Sequence, residues 1–353
     1  MARLLFVTGT PAGVRQGSGT FVGISVLRRA LEDAGHRVET LAPDAASHAI
    51  LPRIAFNLRA RRAAARRGSF DAVVGFDLDG LFVKVPGARH VASIKGVIAD
   101  ERRFERGWTR FGMGIAAKLE AAHVRRADRV LTTSAYAATR IAEEYAVERS
   151  RIGIVPEPIA LSRWTQALTA AARAPRNGEA VILCVAHLYP RKNVSSLVRA
   201  MAAIKSPARL RIVGAGPELP ALEALVRDLG LEDRVALLGH VPFESLVSEY
   251  RNADMFCLPS LQEGFGIVFL EAMAAGLPIV ACRAAAVPEV VPDGECGILA
   301  PPRDVPALAF ALDRLAWDPR ERARMGEAGR RRAARDDAPL VAKEFVEAIA
   351  IGS

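Results

Sequence analysis

Two glutamates enclose a glycine turn in the stretch LQEGFGIVFLEAMAAG, which runs from residue 261 to residue 276. Glu263 precedes Gly-Phe-Gly, and Glu271 follows it within a pattern typical of a helix that ends at Gly276. The apolar run ADMFCLPS comes before, so a strand, a glycine loop and a helix follow in order. The first backbone amides of a helix have no partner within it, and with the helix dipole they favour an anion. The stretch therefore predicts an anion site, with Glu271 close enough to reach a neutral group beside the anion, such as a ribose hydroxyl.

Two adjacent cations follow a second predicted strand. Arg191 and Lys192, in VAHLYPRKNVSSLVRA, stand directly after that strand and where a helix begins. Cations are electrostatically unfavourable at this end of a helix, because the dipole there favours anions. A phosphate held between these side chains and the helix would account for them, through charge-assisted bonds of about 1.5 to 3 kcal/mol each. The alternative is an ordinary solvated pair.

Glycine-rich loops and one further loop end three other predicted strands. The loop TGTPAGVRQGSGT contains Gly17 and Gly19, and its spacing differs from the G-x-G-x-x-G fingerprint, which disfavours an NAD-dependent oxidoreductase. It is either a flexible turn or a functional loop, as long glycine loops in compact domains usually are. Gly214 and Gly216 lie in VGAGPELPALEAL, and Val241 lies in GHVPFESL. These two loops are candidates to wall a base or a ribose.

The positive charge is concentrated in the first half of the 353-residue chain. Residues 1–163 hold 26 Lys and Arg against 16 Asp and Glu, a net of +10, while residues 164–353 hold the other 22 and 23, so the total is +9. Arginines cluster in residues 59–68 and, mixed with aromatics, in residues 100–111. These clusters are either solvated helix faces or a cationic patch for anionic lipid head groups or a phosphorylated acceptor. The absence of a helix-turn-helix, zinc-finger or RNP-type sequence pattern argues against nucleic acid.

Composition also predicts where the protein works. The sequence has no run of about 18 uncharged apolar residues, so no membrane-spanning helix is expected. The start, MARLLFVTGTPAG, lacks the longer apolar core and cleavage site of a secretory signal and predicts a buried strand. Four cysteines without C-x-x-C spacing are expected to be core thiols: Cys184, Cys257, Cys282 and Cys296. We expect a cytoplasmic protein, with binding to the inner face of the membrane as an alternative that the cationic patch leaves open.

Apolar runs of strand length alternate with helical patterns along nearly the whole chain. Six strands are predicted in each half, namely RLLFVTG, RVETLA, DAVVGF, HVASIKG, RVLTTS and RIGIVPE, then AVILCVAHL, RLRIVGAG, VALLGHV, MFCLPS, PIVACR and CGILAPP. The alternation predicts an α/β protein of two doubly wound parallel-sheet domains, 1–163 and 179–335, facing across a cleft. The polar, Ala-rich residues 164–178 are the predicted linker. Ligands bind at the carboxyl ends of the strands in such sheets, where the motifs above lie.

The second half resembles a known enzyme family. The segments AHLYPRKN, IVGAGPELPALEAL, LGHVPFESLVSEYRNADMFCLPSLQEGFGIVFLEAMAAGLPIVA and VPEVVPDGECGILAPPRD are similar, in order and spacing, to the donor domain of retaining glycosyltransferases of family 4. A weaker likeness extends over the first half. The resemblance implies the GT-B fold, two Rossmann-like domains of which the first binds the acceptor and the second the nucleotide sugar. It also implies that the last helix, within residues 336–353, packs back on the first domain.

The resemblance also assigns roles to residues. Glu263 and Glu271 match the family's acid-x7-acid motif, which implies that Glu263 binds sugar hydroxyls and Glu271 the ribose, with the amides of residues 265–268 on the diphosphate. The residues expected at the reacting groups are Glu263, Lys192, Arg191 and Lys95. Those expected at the donor are Gly17, Gly19, His187, Arg191, Lys192, Gly214, Gly216, Val241, Glu263, Gly264, Phe265, Gly266, Ile267, Val268 and Glu271.

Three places depart from the family pattern. His187 stands where an arginine commonly contacts the diphosphate, and an imidazole in that role would make donor binding weaken as the pH rises. Lys95, in HVASIKGVIAD, matches a histidine near the transferred sugar, and the alternative is a lysine buried for structural reasons. Glu157 and Ala160, in VPEPIA, stand where asparagine and aspartate are frequent, which affects contacts on the acceptor side.

The resemblance implies a retaining hexosyltransferase that moves a sugar from a UDP- or GDP-linked donor to a glycan, lipid-linked or small-molecule acceptor. Fixed cations and amides would stabilise the leaving diphosphate, so neither a metal nor another cofactor is expected. Two alternatives are an epimerase or hydrolase of nucleotide sugars and a non-catalytic nucleotide-sugar-binding protein. The basic first half of the chain argues against an epimerase or hydrolase, because it implies a second, anionic substrate. A non-catalytic binding protein is disfavoured by the presence of four charged residues, namely Glu263, Glu271, Arg191 and Lys192.

Overall fold

The protein is described by a computed structural model that covers residues 1–11, 19–44, 50–174 and 178–350. It divides into two compact units. Unit 1 consists of Met1–Pro158 together with the C-terminal segment from Ala338, and unit 2 is Ile159–Asp337. Each unit contains a six-stranded sheet in which all strand pairs are parallel.

The elements of unit 1 alternate between strands and helices. Its strands are β1 (Arg3–Val7), β2 (Arg37–Leu41), β3 (Ala72–Phe76), β4 (Arg89–Ile94), β5 (Arg129–Thr132) and β6 (Ile152–Ile154). Its helices are α1 (Gly19–Asp33), α2 (Ile50–Ala65), α3 (Ile98–Glu101), α4 (Gly107–Arg126), α5 (Ala135–Tyr145) and, at the C-terminus, α14 (Ala338–Ala350).

Unit 2 repeats the alternation. Its strands are β7 (Ala180–Val185), β8 (Ala208–Val213), β9 (Val235–Gly239), β10 (Met255–Leu258), β11 (Ile279–Cys282) and β12 (Gly297–Ala300). Its helices are α6 (Leu161–Ala170), α7 (Val194–Ala203), α8 (Leu219–Asp228), α9 (Phe243–Asn252), α10 (Ile267–Ala275), α11 (Val287–Val290), α12 (Val305–Trp317) and α13 (Pro319–Ala333).

The strand order sets where ligand loops can meet. The sheet of unit 1 runs β2-β1-β3-β4-β5-β6, and that of unit 2 runs β12-β11-β10-β7-β8-β9. All twelve predicted strands are confirmed, since apolar runs between turn signals are what buried parallel strands require. The order reverses between β1 and β3 in unit 1 and between β7 and β10 in unit 2. Loops diverge at such a switch point and leave a crevice for a ligand.

Glycines end two of the predicted helices as expected. Gly35 follows α1 with φ +86°, and Gly276 follows α10 with φ +73°. Both angles lie in the left-handed region, which glycine enters without a steric cost, so the helices stop there. The four cysteines are confirmed as buried free thiols.

The C-terminal helix α14 packs within unit 1. Phe345 is buried with Phe6 and Phe76 in one apolar cluster, and the Phe6 ring centroid lies 6.2 Å from that of Phe345 and 5.0 Å from that of Phe76. The last helix therefore completes the core that the first strand begins. No helix in the described ranges is long and apolar enough to cross a membrane.

The prediction of a linker at residues 164–178 is wrong for residues 164–170, which are helical. Residues up to Ala170 belong to α6, and the buried Trp164 packs edge-on against Phe243 and Tyr250, with ring centroids 5.5 and 5.3 Å apart. Alanine-rich composition suits a helix as well as a linker, and the buried Trp164 and Leu168, four residues apart, supply the apolar face. The chain instead changes unit after Pro158 and again after Asp337, rather than near residues 163 and 335.

Candidate active site

The central charged pair of unit 2 lies at its switch point. Lys192 ends a single 3-10 turn, Pro190–Lys192, between β7 and α7, and Glu263 lies in the loop after β10. The Lys192 Nζ atom lies 2.6 Å from Oε1 of Glu263, and the Ser260 hydroxyl donates to the same oxygen at 2.7 Å. Lys192 and Glu263 are 71 positions apart in the sequence. They meet because β7 and β10 are neighbouring parallel strands, and the loops that follow such strands lie at the same edge of the sheet.

Glu263 is held as a carboxylate. Its side chain is buried, which by itself would raise its pKa, but the adjacent Lys192, then Arg191 and the Ser260 hydroxyl, lower the pKa below its ordinary value. A buried carboxylate that stays ionised accepts hydrogen bonds only. Glu263 is therefore suited to accept from hydroxyl groups of a ligand.

Arg191 is oriented by its own loop and by the loop after β10. Its Nε donates to Oε1 of Gln262 at 3.2 Å, and its guanidinium carbon lies 5.2 Å from the centroid of the Tyr189 ring. The Tyr189 ring lies 6.0 Å from the ring of His187. His187, Arg191 and Lys192 thus stand together on the β7–α7 loop, as the sequence predicted.

The glycine turn before α10 requires glycine at one position. Gly266 has φ +91°, and a Cβ there would lie 2.6 Å from the Phe269 ring. The Phe269 amide donates to the Gly266 carbonyl at 2.9 Å, the first bond of the helix. The amides of Ile267 and Val268 therefore lie in the first turn, where helical geometry supplies no acceptor within the helix. Gly264 and Phe265 complete the turn, and the Phe265 side chain is buried.

Glu271 lies one turn into α10 and differs from Glu263 in its surroundings. It is buried and accepts a hydrogen bond from the Tyr250 hydroxyl at 2.9 Å. Burial raises the pKa of Glu271 to about 7, against the smaller lowering effect of the Tyr250 hydrogen bond. This carboxyl group consequently titrates near neutral pH.

Gly214 and Gly216 hold two loops together through close backbone contact. Gly214 has φ +136°, and a Cβ there would overlap the carbonyl oxygen of Ala186. A Cβ at Gly216 would lie 2.6 Å from the Leu188 carbonyl oxygen. The Gly214 amide also donates to the Gly239 carbonyl at 2.7 Å, which ties in the end of β9. These glycines therefore position the loop that carries His187, while the half-buried Val241 follows β9 nearby in sequence.

Lys95 and Glu157 in unit 1 form a buried ion pair. The Lys95 Nζ lies 3.2 Å from each carboxylate oxygen of Glu157. A Cβ added to Gly23 of α1 would overlap Oε2 of Glu157, so the pair is closely packed. Two of the departures from the family pattern, 62 residues apart, are thus partners of one another. The side chain of Ala160 offers no polar group to this cluster.

The switch point of unit 1 contains residues that the sequence interpretation missed. Asp79, fully buried, accepts hydrogen bonds from the Gly9 amide, from Arg53 at 2.6 Å and from Asn57 at 2.9 Å. Asp77 accepts from the Lys95 amide at 2.8 Å, and burial raises its pKa to about 6. The sequence signal was the Asp-x-Asp pair directly after β3.

These aspartates accept hydrogen bonds from backbone amides, Asp79 from Gly9 and Asp77 from Lys95. Within residues 1–11, 19–44, 50–174 and 178–350, no three His, Cys, Asp or Glu residues are grouped so that they could hold an ion. Asp79 holds the Gly9 amide at the start of the glycine loop. Gly17, in the same loop, lies outside the described residues, and Gly19 is the first residue of α1.

Comparison with known proteins identifies the family. Residues 17–163 match the family described as Glycosyltransferase Family 4, and residues 168–332 match Glycosyl transferases group 1. The MMP alpha-(1->4)-mannosyltransferase of Mycolicibacterium hassiacum is 34% identical over 300 residues, which cover 79% of this chain and 70% of that protein. The GDP-mannose-dependent alpha-(1-6)-phosphatidylinositol monomannoside mannosyltransferase of Mycolicibacterium smegmatis is 32% identical over 280 residues, covering 74% and 70%.

A solved structure shows the same architecture. Sucrose-phosphate synthase of Thermosynechococcus elongatus superposes with a TM-score of 0.83 at 22% identity, over 98% of this chain and 97% of that one. At this identity the likeness concerns the fold, and it agrees with the two parallel sheets described above. The chain therefore belongs to glycosyltransferase family 4 and is a glycosyltransferase with the two-unit α/β architecture of the GT-B fold.

Proposed function

We propose that the nucleotide sugar on which this glycosyltransferase acts is GDP-mannose and that its mannosyl group is transferred with retention of configuration. Support comes from the two mannosyltransferases to which the chain is similar over about three quarters of its length, at 79% and 74%. One of them is named as GDP-mannose-dependent. UDP-linked sugars are the alternative that the experiment below distinguishes.

The pair formed by Lys192 and Glu263 beside the first turn of α10 carries the proposed donor site. The pair places a cation and a hydroxyl-accepting carboxylate 2.6 Å apart, next to amides that favour an anion. In the proposed complex the diphosphate lies against the amides of 265–268 with Lys192 and Arg191, and His187 takes the place of the family arginine. Glu263 accepts from hydroxyls of the sugar.

The ribose is proposed to lie on the other side of the diphosphate. Glu271, one turn further along α10, would accept from its hydroxyls. The carboxylate form offers two acceptor oxygens for this purpose, and the protonated form offers fewer. The walls of the site would come from the loops that Gly214, Gly216 and Val241 occupy.

The proposed reaction needs no metal. As the bond between the sugar C1 and the diphosphate oxygen breaks, Lys192, Arg191 and the helix amides stabilise the negative charge that develops on the leaving group. The acceptor oxygen forms its bond to C1 on the same face, and its proton passes to the departing phosphate oxygen. Glu263 and Glu271 thus bind and orient, and no protein nucleophile is assigned.

Unit 1 is proposed to bind the acceptor. The residues of unit 1, 1–158 and 338–353, hold 26 Lys and Arg against 18 Asp and Glu, a net charge of +8, which favours an anionic acceptor such as a phosphorylated or lipid-linked glycan over a neutral small molecule. The ion pair of Lys95 with Glu157 would present one donor and one acceptor group to its hydroxyls. An acceptor in a membrane would place the enzyme on the inner face of that membrane.

Nucleotide binding tests the donor assignment. Thermal shift with GDP, UDP, ADP and CMP should single out GDP, because a ligand at 100 times its dissociation constant stabilises a protein by about 2.7 kcal/mol. In calorimetry, Lys192→Ala should weaken GDP binding about 10- to 100-fold through loss of a charge-assisted bond. Lys205→Ala, an exposed lysine of the same unit, is the control and should bind as the wild type does.

Each outcome bears on a separate part of the proposal. A preference for UDP would overturn the mannosyl donor but not the site, and unchanged binding in Lys192→Ala would overturn the site. No response to any nucleotide would overturn the whole proposal. Turnover of GDP-mannose should persist in EDTA, and loss of turnover that Mg²⁺ or Mn²⁺ restores would contradict the metal-independent mechanism.

A further inference from the structure

A stripe of exposed apolar side chains lies on helix α4 of unit 1. Trp108, Phe111 and Ile115 are 86%, 60% and 36% exposed, and the Trp108 and Phe111 rings meet edge-on with centroids 5.9 Å apart. Their spacing of three and then four residues puts them on one face of the helix. These three residues are called the α4 stripe below.

The α4 stripe faces away from the core of unit 1. The buried residues of the helix begin at Ala117, nine positions after Trp108, which is two and a half turns and therefore the opposite face. Residues 107–116 contain no buried side chain. Within the described residues, the first half of α4 thus presents large apolar groups that the packing of its own unit does not use, and such exposure marks a binding surface.

Basic side chains surround the stripe. Arg102, Arg103, Arg106 and Arg110 lie within six residues of Trp108 in the sequence, together with one acid, Glu105. Arg103 is paired with Glu144, whereas Arg106 and Arg110 form no ion pair with any carboxylate of the described residues. A surface that combines exposed aromatics with unneutralised arginines is complementary to an anionic layer with an apolar interior.

A second exposed aromatic pair in the molecule lacks this charge. Phe310 and Trp317 of α12 are 70% and 63% exposed, and their charged neighbours in sequence are Asp313, Arg314 and Asp318. Arg314 is paired with Glu321 at 2.6 Å, so it is neutralised. Exposure of aromatics is therefore common to both helices, and the sign of the neighbouring charge distinguishes them. The pair on α12 supplies a matched control.

We propose that the α4 stripe and its arginines are a docking surface for a bilayer that contains anionic lipid, with Trp108 and Phe111 inserted at the level of the head groups. Aromatic side chains favour this interface, and the arginines add attraction to the lipid phosphates. Neither contribution is expected to hold a protein of this size alone, because stable peripheral binding usually takes two signals. The inference rests on the proposed function in that a lipid-linked acceptor has to be reached at a bilayer surface.

Vesicle binding by the full chain tests the surface. Wild-type protein should co-sediment with vesicles of phosphatidylcholine and phosphatidylglycerol, weakly with phosphatidylcholine alone, and less at high salt. The variant Trp108→Ser with Phe111→Ser should lose affinity by at least about tenfold, because less apolar area is buried. Arg106→Glu with Arg110→Glu should abolish the preference for anionic vesicles, and Phe310→Ser with Trp317→Ser should bind as the wild type does.

Fluorescence quenching tests insertion directly. In a Trp317→Phe background two tryptophans remain, and Trp108 is the exposed one because Trp164 is buried. Phosphatidylcholine with brominated acyl chains, mixed into the anionic vesicles, should quench its emission. Vesicle binding without quenching, or unchanged binding by the Trp108→Ser and Phe111→Ser variant, would overturn the proposal, as would self-association through this face without vesicle binding.

A GDP thermal shift on the same variants separates the two proposals. The stripe variant should keep the wild-type response to GDP, because none of its residues lies in unit 2. A protein that responds to GDP but binds no vesicles contradicts the docking surface alone. A protein that binds vesicles through Trp108 but responds to no nucleotide contradicts the proposed function and leaves the docking surface standing.

Discussion

Glu263 and Glu271 are both buried carboxyl groups, and their neighbours determine their charge. Lys192 and Arg191 lie beside Glu263 and lower its pKa against the effect of burial, whereas burial raises the pKa of Glu271, next to the neutral Tyr250 hydroxyl, to about 7. The two acids that bracket the glycine turn are therefore not an equivalent pair. One is a permanent acceptor in an ion cluster, and the other changes charge near neutral pH.

Glu271 should make the stability of the free enzyme fall as the pH rises. The folded-state pKa of about 7 exceeds the ordinary value of 4.5, so the folded state holds a proton that the unfolded state has lost between these values. That stabilisation is complete below the ordinary pKa and is lost as the pH rises through 7. Glu271→Gln removes the titration, so its stability relative to the wild type should increase by about 2 kcal/mol between pH 5.5 and 8.5.

Urea unfolding at the two pH values measures this difference. Glu223→Gln, which changes an exposed carboxylate of α8, is the control and should show no such increase. The same Glu271→Gln variant should bind GDP more weakly at pH 8.5, since an amide offers one acceptor oxygen in place of two. A variant whose stability relative to the wild type is independent of pH would contradict the assignment.

Lys95 and Glu157 should behave as one unit. Lys95→Met leaves a buried carboxylate without its partner, and Glu157→Gln leaves a buried ammonium, each at a cost of about 3 to 5 kcal/mol. The double variant removes both charges and should be more stable than either single variant. Urea unfolding of the four proteins gives the coupling free energy.

The exposed pair of Lys343 and Glu347 on α14 is the control for that cycle. Its atoms lie 3.9 Å apart in solvent, and its coupling should stay below about 0.5 kcal/mol. Additive effects at Lys95 and Glu157 would refute the buried pair. The double variant Lys95→His with Glu157→Asn carries the two residues that the family resemblance implies. It should also lose less stability than either single variant.

At the scale of elements, the site depends on loops held to one another by backbone contacts. The loop after β7 carries Arg191 and Lys192, and its backbone meets the loop after β8 where Gly214 and Gly216 leave no room for a side chain. The short turn before α7 is also tied to the loop after β10, because the Leu261 amide donates to the Arg191 carbonyl at 2.8 Å. Three loops from three strands are therefore held against one another at this edge of the sheet.

Alanine substitutions at two glycines should have opposite effects. Gly214→Ala puts a Cβ into the Ala186 carbonyl at a φ of +136°, and we expect a cost of about 1 to 3 kcal/mol from backbone strain, with weaker GDP binding. Gly112→Ala, within α4, meets nothing within 4 Å and should stabilise by about 0.5 to 1 kcal/mol. Thermal unfolding of both variants checks the signs, and a stabilising Gly214→Ala would contradict the described loop contact.

At the scale of the whole molecule, the two ends of the chain fold together. Phe345 packs with Phe6 and Phe76 in unit 1, although 339 residues separate Phe345 from Phe6. Unit 1 can therefore complete its core only after the last helix has been made. The two crossings, after Pro158 and after Asp337, leave unit 2 as one continuous segment.

Truncation of Phe345 should destabilise unit 1 strongly. Phe345→Ala removes a fully buried ring, and such changes cost about 3 to 5 kcal/mol through lost burial and the cavity left behind. Leu340→Ala, on the exposed side of the same helix, should change stability by less than about 1 kcal/mol. Calorimetry of both variants measures the difference, and equal effects would show that α14 does not close this core.

The amino-acid sequence by itself determined the twelve strands, the ends of α1 and α10, and the order strand, glycine loop and helix around Glu263. These features depend on neighbours within about ten residues: apolar runs, turn residues and helix stop signals. The motifs also placed Arg191, Lys192 and Glu263 at strand ends, where parallel sheets bind ligands. Local patterns were sufficient there because each feature is formed by one short segment.

Only the tertiary structure decided which distant residues meet. Part of the predicted linker is helix α6, which is held by the packing of the Trp164 ring against Phe243 and Tyr250. These two residues lie some 80 positions later in the chain. Lys95 was matched with Glu157, and Asp79 with Gly9, through strand orders that no local pattern specifies. The physical reason is that burial makes an unpaired charge costly, so the partner of a buried charge is chosen by proximity in the fold and not along the chain.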